Sequence, residues 1–282
     1  MAKVGYEIAK NINAGLTLDL HENWPAYLRM ATHVKSLLGR FLSNNNQWIK
    51  YEKSFCEKAD NIIVVVDEAK VRLINIGIDP EKIKVVSNTI NLNNIDSLNT
   101  IPDNDYFTLF YAGGITKHRG LQFIIPALNK VKLKDKKLRF WVLGTGNYID
   151  NLKQLAREIG VEENIEFFGW KPFNEMMKYL GKSDVCIIPH TKSDHTDTTI
   201  PHKLFQYMYF NKPIIASNCD PIERIIEETK CGLVYTHDSE NDFADKLKIL
   251  AENNKVNTTG KKAVADKYNW EKDSETLISI YK

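Results

Sequence analysis

Short apolar runs alternate with longer segments of helical period along the whole chain. Leu16–Leu20 (LTLDL), Asn61–Val66 and Ile83–Val86 read as strands in the first hundred residues. Phe107–Ala112, Leu138–Leu143, Ile165–Phe168, Asp184–Pro189, Pro213–Ala216 and Gly232–Tyr235 follow. Several are nearly continuous apolar runs, the pattern of strands buried on both faces of a parallel sheet. Between them, Leu121–Val131, Tyr148–Ile159, Phe173–Leu180, Lys203–Phe210 and Pro221–Glu228 carry helical patterns. The alternation predicts an α/β fold of doubly wound units with right-handed crossovers.

One stretch breaks the pattern. Asn88–Asp105 (NTINLNNIDSLNTIPDND) is rich in Asn, Asp, Ser and Pro and reads as an interdomain linker. It divides the chain into a first domain over 1–100 and a second over 101–265. The tail is helical, with Trp270, Leu277, Ile280 and Tyr281 able to form one apolar stripe. Residues 266–282 are accordingly expected to cross back to the first domain. A length of 282 residues suffices for two domains.

Composition narrows the class. The chain is 43% hydrophobic, and 38 basic against 36 acidic residues leave a net charge of only +2. That excludes an intrinsically disordered chain. It also argues against nucleic acid as a partner, which calls for a concentrated basic excess. None of the four cysteines forms a C-x-x-C pair, and no Cys/His cluster has zinc spacing. Cys186, inside an apolar run, reads as a small buried hydrophobe. This cysteine usage points to a reducing cytoplasm. Met1–Lys10 lacks the apolar core of a signal peptide. The longest clean apolar run, Ile62–Val66, is far short of the ~20 residues of a membrane span.

In open parallel sheets ligands bind beyond the carboxyl ends of the strands, so four loops matter. The first is Gly113-Gly114-Ile115-Thr116-Lys117-His118-Arg119-Gly120. Its glycines admit close approach of a ligand, and Lys117 and Arg119 sit where a helix opens, which suits a diphosphate. The alternative is a tight turn with solvated basic residues. The second, Gly144-Thr145-Gly146, lacks the full dinucleotide fingerprint and reads as a close helix–strand turn that touches a ligand. In the third, Gly169-Trp170-Lys171-Pro172, the indole flanks a base or packs between domains. The fourth runs from His190 to Met208. Pro201 stands as a first-turn proline, and Thr198 and Thr199 offer hydroxyls and amides to an anion. Gln206 lies within reach of a ribose. The spacings of His190, His195 and His202 match no common metal motif, so no metal site is expected.

Read together, these segments resemble the retaining glycosyltransferases of the GT-B fold, family 4, over Leu16–Lys282. The resemblance is carried by Leu18-Asp19-Leu20-His21-Glu22-Asn23-Trp24-Pro25, Tyr51-Glu52-Lys53, Ala59–Val66 and Lys84–Asn91. In the second half it is carried by the Gly113–Gly120 loop, Gly144-Thr145-Gly146, Phe168-Gly169-Trp170, Ser183-Asp184-Val185, and Ile200-Pro201-His202-Lys203-Leu204-Phe205-Gln206-Tyr207-Met208 with Lys212–Ser217. It implies two Rossmann-like parallel-sheet domains, the N-terminal one incomplete. It also implies a sugar moved with retention from a nucleotide-diphospho-sugar to a glycan or lipid-linked acceptor, in cell-surface polysaccharide synthesis and without metal or cofactor. Arg119 and Lys117 would neutralise the leaving diphosphate. Gly113, Gly114, Gly144, Trp170, Thr198, Thr199, Ile200, Lys203 and Gln206 would hold the donor, and His21 and Glu22 would line the acceptor side.

The sequence departs from that pattern in three places. Thr198 and Gln206 stand where the family commonly has two glutamates. Gly114 stands where it has an arginine. The resemblance begins only near Leu16, in the middle of the first domain. These departures keep a second reading open: a non-catalytic nucleotide-sugar-binding subunit whose partner chain completes the N-terminal domain. A sugar-nucleotide epimerase would need acidic and histidine residues in the cleft that the sequence does not offer. Finally, Tyr27–Phe41 (YLRMATHVKSLLGRF) reads as an amphipathic surface helix, with peripheral contact at the inner membrane face as the alternative.

Overall fold

The computed structural model describes residues 1–30, 45–94, 105–252 and 259–282. They fall into two compact units. The first comprises 1–89, 193–201 and 270–282; the second comprises 90–192 and 202–269.

In the first unit, helix α1 (Ala2–Asn11) leads to strand β1 (Thr17–Leu20) and helix α2 (Trp24–Met30). After α3 (Asn45–Lys58) come β2 (Asn61–Val64), α4 (Asp67–Asn75) and β3 (Ile83–Val85). The strands pair in parallel in the order β1-β2-β3, with Thr17 opposite Asn61 and Ile62 opposite Ile83. The apolar run predicted as a strand is the core: every residue from Ile62 to Val66 is buried. Helix α3 is fixed to α4 by a two-pronged ion pair, Arg72 Nη1 to Glu52 Oε2 at 2.7 Å and Nη2 to Oε1 at 3.0 Å. The Glu52 side chain is only 9% exposed. Truncating Arg72 therefore strands a buried carboxylate. Arg72→Ala is expected to lower stability by about 3 kcal/mol, read as an earlier urea midpoint.

Residues 193–201 belong to this first unit, although the linker reading placed them in the second. Asn23 Nδ2 donates to the Asp194 carbonyl at 3.2 Å, Arg29 pairs with the Asp194 carboxylate at 3.1 Å, and the Tyr27 and His195 rings stand 5.3 Å apart. The last helix, α12 (Trp270–Ser279), also lies in this unit, where Asp273 accepts from the Thr89 hydroxyl. It has no fully buried residue: Trp270 is 36% and Tyr281 68% exposed, so the expected apolar stripe stays largely uncovered. Of the segment Tyr27–Phe41, only the part up to Met30 is described. The remainder lies outside the described residues.

The second unit holds a six-stranded parallel sheet in the order β6-β5-β4-β7-β8-β9. Its strands are β4 (Tyr106–Ala112), β5 (Lys137–Leu143), β6 (Ile165–Gly169), β7 (Val185–Ile188), β8 (Ile214–Ser217) and β9 (Gly232–Tyr235). Helices α5 (Leu121–Leu128), α6 (Ile149–Glu158), α7 (Phe173–Lys182), α8 (Lys203–Tyr209) and α9 (Asp220–Thr229) connect them, and α10 (Glu240–Glu252) and α11 (Gly260–Asp266) follow. All the strands stand within two residues of the ranges read from the sequence. The run Val185–Ile188 is buried at every position, as a central strand covered on both faces must be.

The linker was only partly anticipated. Ile90 is buried and bridges to Asn269, and a short 3-10 turn spans Leu92–Asn94, so this end is packed rather than solvated. Residues 95–104 lie outside the described residues. All four cysteines are free and buried; burial pushes the Cys56 and Cys186 thiols up to about 12, which makes them inert. Among the described residues no helix is long and apolar enough to cross a membrane.

Candidate functional site

The strand order of the second unit selects one place for a ligand. From β4 the chain winds outward through β5 to β6, then returns to β7 on the other side of β4. The loops beyond β4 and its neighbours flank this switch point.

There the first three predicted loops are knitted together by backbone hydrogen bonds. The Gly113 N–H donates to Leu143 O at 3.0 Å, Ile115 N–H to Thr145 O at 2.9 Å, and Gly144 N–H to Gly169 O at 2.8 Å. Glycine is required for this approach. A Cβ on Gly144 would lie 1.9 Å from Gly113 O, and one on Gly146 would lie 1.9 Å from Ile115 O. Gly144-Thr145-Gly146 is therefore a loop-to-loop seam, and its glycines are explained without a dinucleotide.

The loops wall a pocket of about 470 Å³. Gly113, Gly114, Gly144, Trp170 and Gln206, all read from the sequence as candidates, line it. So do Thr145, Lys171, Phe173 and Met176, which were not singled out. The lining has no acidic side chain. Trp170 is 71% exposed and Phe173 44%, so an open aromatic wall faces one side. The helical period of Phe173–Leu180 signals that face, but only the three-dimensional turn after β6 brings it to the glycine loops.

Two cations stand near the glycine loop, Arg119 and Lys203, although neither is among the residues that line the pocket. Arg119 Nη1 stands 3.0 Å from His190 Nε2. A guanidinium can only donate, so that ring nitrogen accepts and the proton of the neutral imidazole sits on Nδ1. His190 is buried, and its carbonyl accepts from the Ser217 hydroxyl at 2.6 Å, which holds it at the end of β7. Lys203, at the head of α8, places Nζ 3.9 Å from the centroid of the Tyr111 ring. Burial, and then the nearby Arg119 charge, hold this amine's pKa well below its ordinary value. The Tyr111 hydroxyl donates to Gly114 O at 2.7 Å and so shapes the loop tip. Lys117 is exposed and does not line the pocket.

The remaining candidates lie in the first unit. Thr198 Oγ1 donates to Asp194 O at 2.8 Å, and Thr199 Oγ1 donates to His195 O at 3.1 Å. Both hydroxyl protons are spent on closing the local turn, contrary to the expectation that they face an anion. Ile200 is buried in the same segment. Pro201 precedes α8 by two residues and is not its first-turn proline. His21 and Glu22 follow the end of β1, where His21 Nε2 stands 3.0 Å from an Asp19 carboxylate oxygen; both are exposed. Among the described residues no group of three or more His, Cys, Asp or Glu is placed to hold a metal ion.

Comparison with known proteins sets this geometry in context. The putative colanic acid biosynthesis glycosyltransferase WcaL of Salmonella typhimurium is 24% identical over 240 residues, 82% of this chain and 58% of WcaL. The amylovoran biosynthesis glycosyltransferase AmsK of Erwinia amylovora is 25% identical over 164 residues, 58% of this chain and 37% of AmsK. The chain thus spans about six tenths of WcaL or less of such relatives. Among solved structures, Anabaena HepE in complex with UDP superposes with a TM-score of 0.77 at 15% identity, over 99% of this chain and 76% of HepE. That likeness shows the fold, a GT-B arrangement of Rossmann-like parallel sheets. Residues 95–267, which include every loop of the pocket, match the family described as glycosyl transferases group 1. The chain belongs to the glycosyl transferases group 1 family.

Proposed function

We propose that the chain is a glycosyltransferase, or the donor-binding part of one, and that the second unit binds a nucleotide-diphospho-sugar. The observation that carries this reading is the pocket itself: glycine loops without side chains, no acid in the lining, and Arg119 in the turn that follows the first glycine loop. Glycine backbone that a ligand can approach closely, with a cation nearby, suits a diphosphate. Family membership supports the reaction class, and HepE has been solved with UDP and with UDP-glucose.

In this reading Arg119 stabilises the charge that develops on the departing diphosphate. His190 keeps the guanidinium oriented. Gln206 hydrogen-bonds a ribose hydroxyl, and Trp170 flanks the base. The transfer proceeds with retention and without a metal. The acceptor is a glycan or lipid-linked glycan that meets His21 and Glu22. The names of WcaL and AmsK support a role in polysaccharide synthesis. The site of action is the cytoplasm, at or near the inner membrane face.

Stacking on an aromatic ring is worth about 1–3 kcal/mol per base. Trp170→Ala is therefore expected to weaken a nucleoside diphosphate about tenfold and leave inorganic pyrophosphate unchanged. Calorimetric titration of both ligands tests this; equal losses for the two would contradict the base-flanking role.

A further inference from the structure

The charge balance behind the glycine loop is unusual. Gly114 presents no side chain where the sequence resemblance leads one to expect an arginine, and a Cβ placed there would meet nothing within 4 Å. The position is open, and the basic group it omits has a counterpart below the loop. Lys203 Nζ lies 3.2 Å from the point a Cβ on Gly113 would occupy. It is buried and has no hydrogen-bond partner.

An ammonium group has three donors, and burying it unpaired is costly. The face of the Tyr111 ring, 3.9 Å away, offsets part of that cost, but among the described residues no hydrogen-bond acceptor offsets the rest. From β4 it meets the face of Tyr111, whose hydroxyl burial keeps protonated and therefore uncharged. From the 117–119 turn the nearest charge is Arg119, a second cation. On its own helix the neighbouring polar groups are Gln206 and Tyr207. Tyr207 Oη accepts from the Ala112 N–H at 3.2 Å. The group this cluster lacks is an anion, and the side chain-free Gly113 is where one can come close.

We propose that Lys203 supplies the diphosphate-neutralising charge that Gly114 leaves out of the loop, and that it takes up a proton when the diphosphate arrives. The inference rests on the nucleotide-sugar reading above. In the empty site burial, and then the Arg119 charge, disfavour the ammonium form of Lys203. The diphosphate favours the ammonium, so a proton from solvent forms the new N–H bond as the ligand binds. Binding then weakens as pH rises, because the proton has to be drawn from a scarcer supply.

The test is calorimetric titration of the full chain with UDP, GDP and ADP between pH 7.5 and 9.5. Each titration is run in two buffers of different ionisation enthalpy. In this range the phosphates are already ionised. At least one nucleotide should bind with net uptake of up to one proton, and its affinity should fall across the range. Lys203→Met keeps the length of the side chain and removes the amine. It should abolish the uptake, weaken binding tenfold or more, and raise the melting temperature of the ligand-free protein. Adding Gly114→Arg to that variant should recover most of the affinity without uptake, because a guanidinium is always charged. Tight binding by wild type with no uptake at any pH overturns the inference while the nucleotide-sugar reading stands. Unchanged affinity in Lys203→Met does the same. If none of the three nucleotides binds wild type, the nucleotide-sugar reading falls and takes the inference with it. Uptake by wild type needs no variant, so it decides the matter even if Lys203→Met fails to fold.

Discussion

Arg119→Ala is expected to weaken nucleoside diphosphate binding about 10- to 100-fold and to slow sugar transfer by a further factor of about 100. The first figure follows from losing a charge-assisted contact worth about 1.5–3 kcal/mol. The second follows from charge that develops only as the glycosidic bond to phosphate breaks, where one lost stabilising donor costs about 2.7–4 kcal/mol. Arg119→Lys separates charge from orientation. It keeps the cation but not the planar fork that reaches His190 at 3.0 Å. Binding should largely survive in this variant, and turnover should not. Kd from calorimetry and kcat from nucleoside diphosphate release distinguish the two. A normal kcat in Arg119→Ala would remove this residue from the reaction.

Gly144→Ala is expected to have the largest effect on stability. Gly144 has φ +130°, which a side chain rarely adopts, and the added Cβ would sit 1.9 Å from the backbone oxygen of Gly113. No rotamer relieves that contact, because both partners are main chain. The seam between the loops after β4 and β5 has to open. That would sacrifice the Gly113–Leu143 and Ile115–Thr145 hydrogen bonds. A loss of about 3–5 kcal/mol is in keeping with such backbone conflicts. It should lower the melting temperature of the second unit by roughly 10 °C. The glycine loop lines the pocket, so ligand binding should be lost as well. Alanine at Gly160, where a Cβ meets nothing within 4 Å, is the control: its φ of +70° costs only local strain. Equal melting temperatures for the two variants would contradict the seam.

The architecture was largely legible because its signals are local. Continuous apolar runs such as Val185–Ile188 and Phe107–Ala112 fix buried parallel strands, and the turns after them follow. The carboxyl-end rule then points to the loops that wall this pocket, which is why Gly113, Gly144, Trp170 and Gln206 are brought together in it. What escaped depends on contacts between distant segments. Gly144 lines the pocket, but its missing side chain, like that of Gly146, also answers to the main chain of the neighbouring loop, which no local pattern shows. The hydroxyls of Thr198 and Thr199 looked free, yet carbonyls three and four residues earlier claim them. Residues 193–201 follow a strand of the second unit in sequence but pack with Asn23, Tyr27 and Arg29. No periodicity in the chain announces that exchange.

Lys203 carried a signal that composition alone obscures. It heads a helix whose next five residues are all buried, Leu204, Phe205, Gln206, Tyr207 and Met208. A helix apolar on nearly every side lies in the interior, so a half-buried lysine at its head can have its amine drawn inward, as Lys203 Nζ is. The same reasoning explains why near-neutral net charge is compatible with an anionic ligand. One or two cations in a dry site act more strongly than many on the surface.

The central claim is that the loops beyond β4, β5 and β6 hold a nucleoside diphosphate. Equilibrium dialysis of the full chain against labelled UDP, GDP and ADP tests it most directly. At least one is expected to bind at one site per chain with Kd below about 1 mM, to be displaced by pyrophosphate, and to lose most of its affinity in Arg119→Ala. Failure of all three to bind at millimolar concentration, or binding that Arg119→Ala leaves intact, would contradict it.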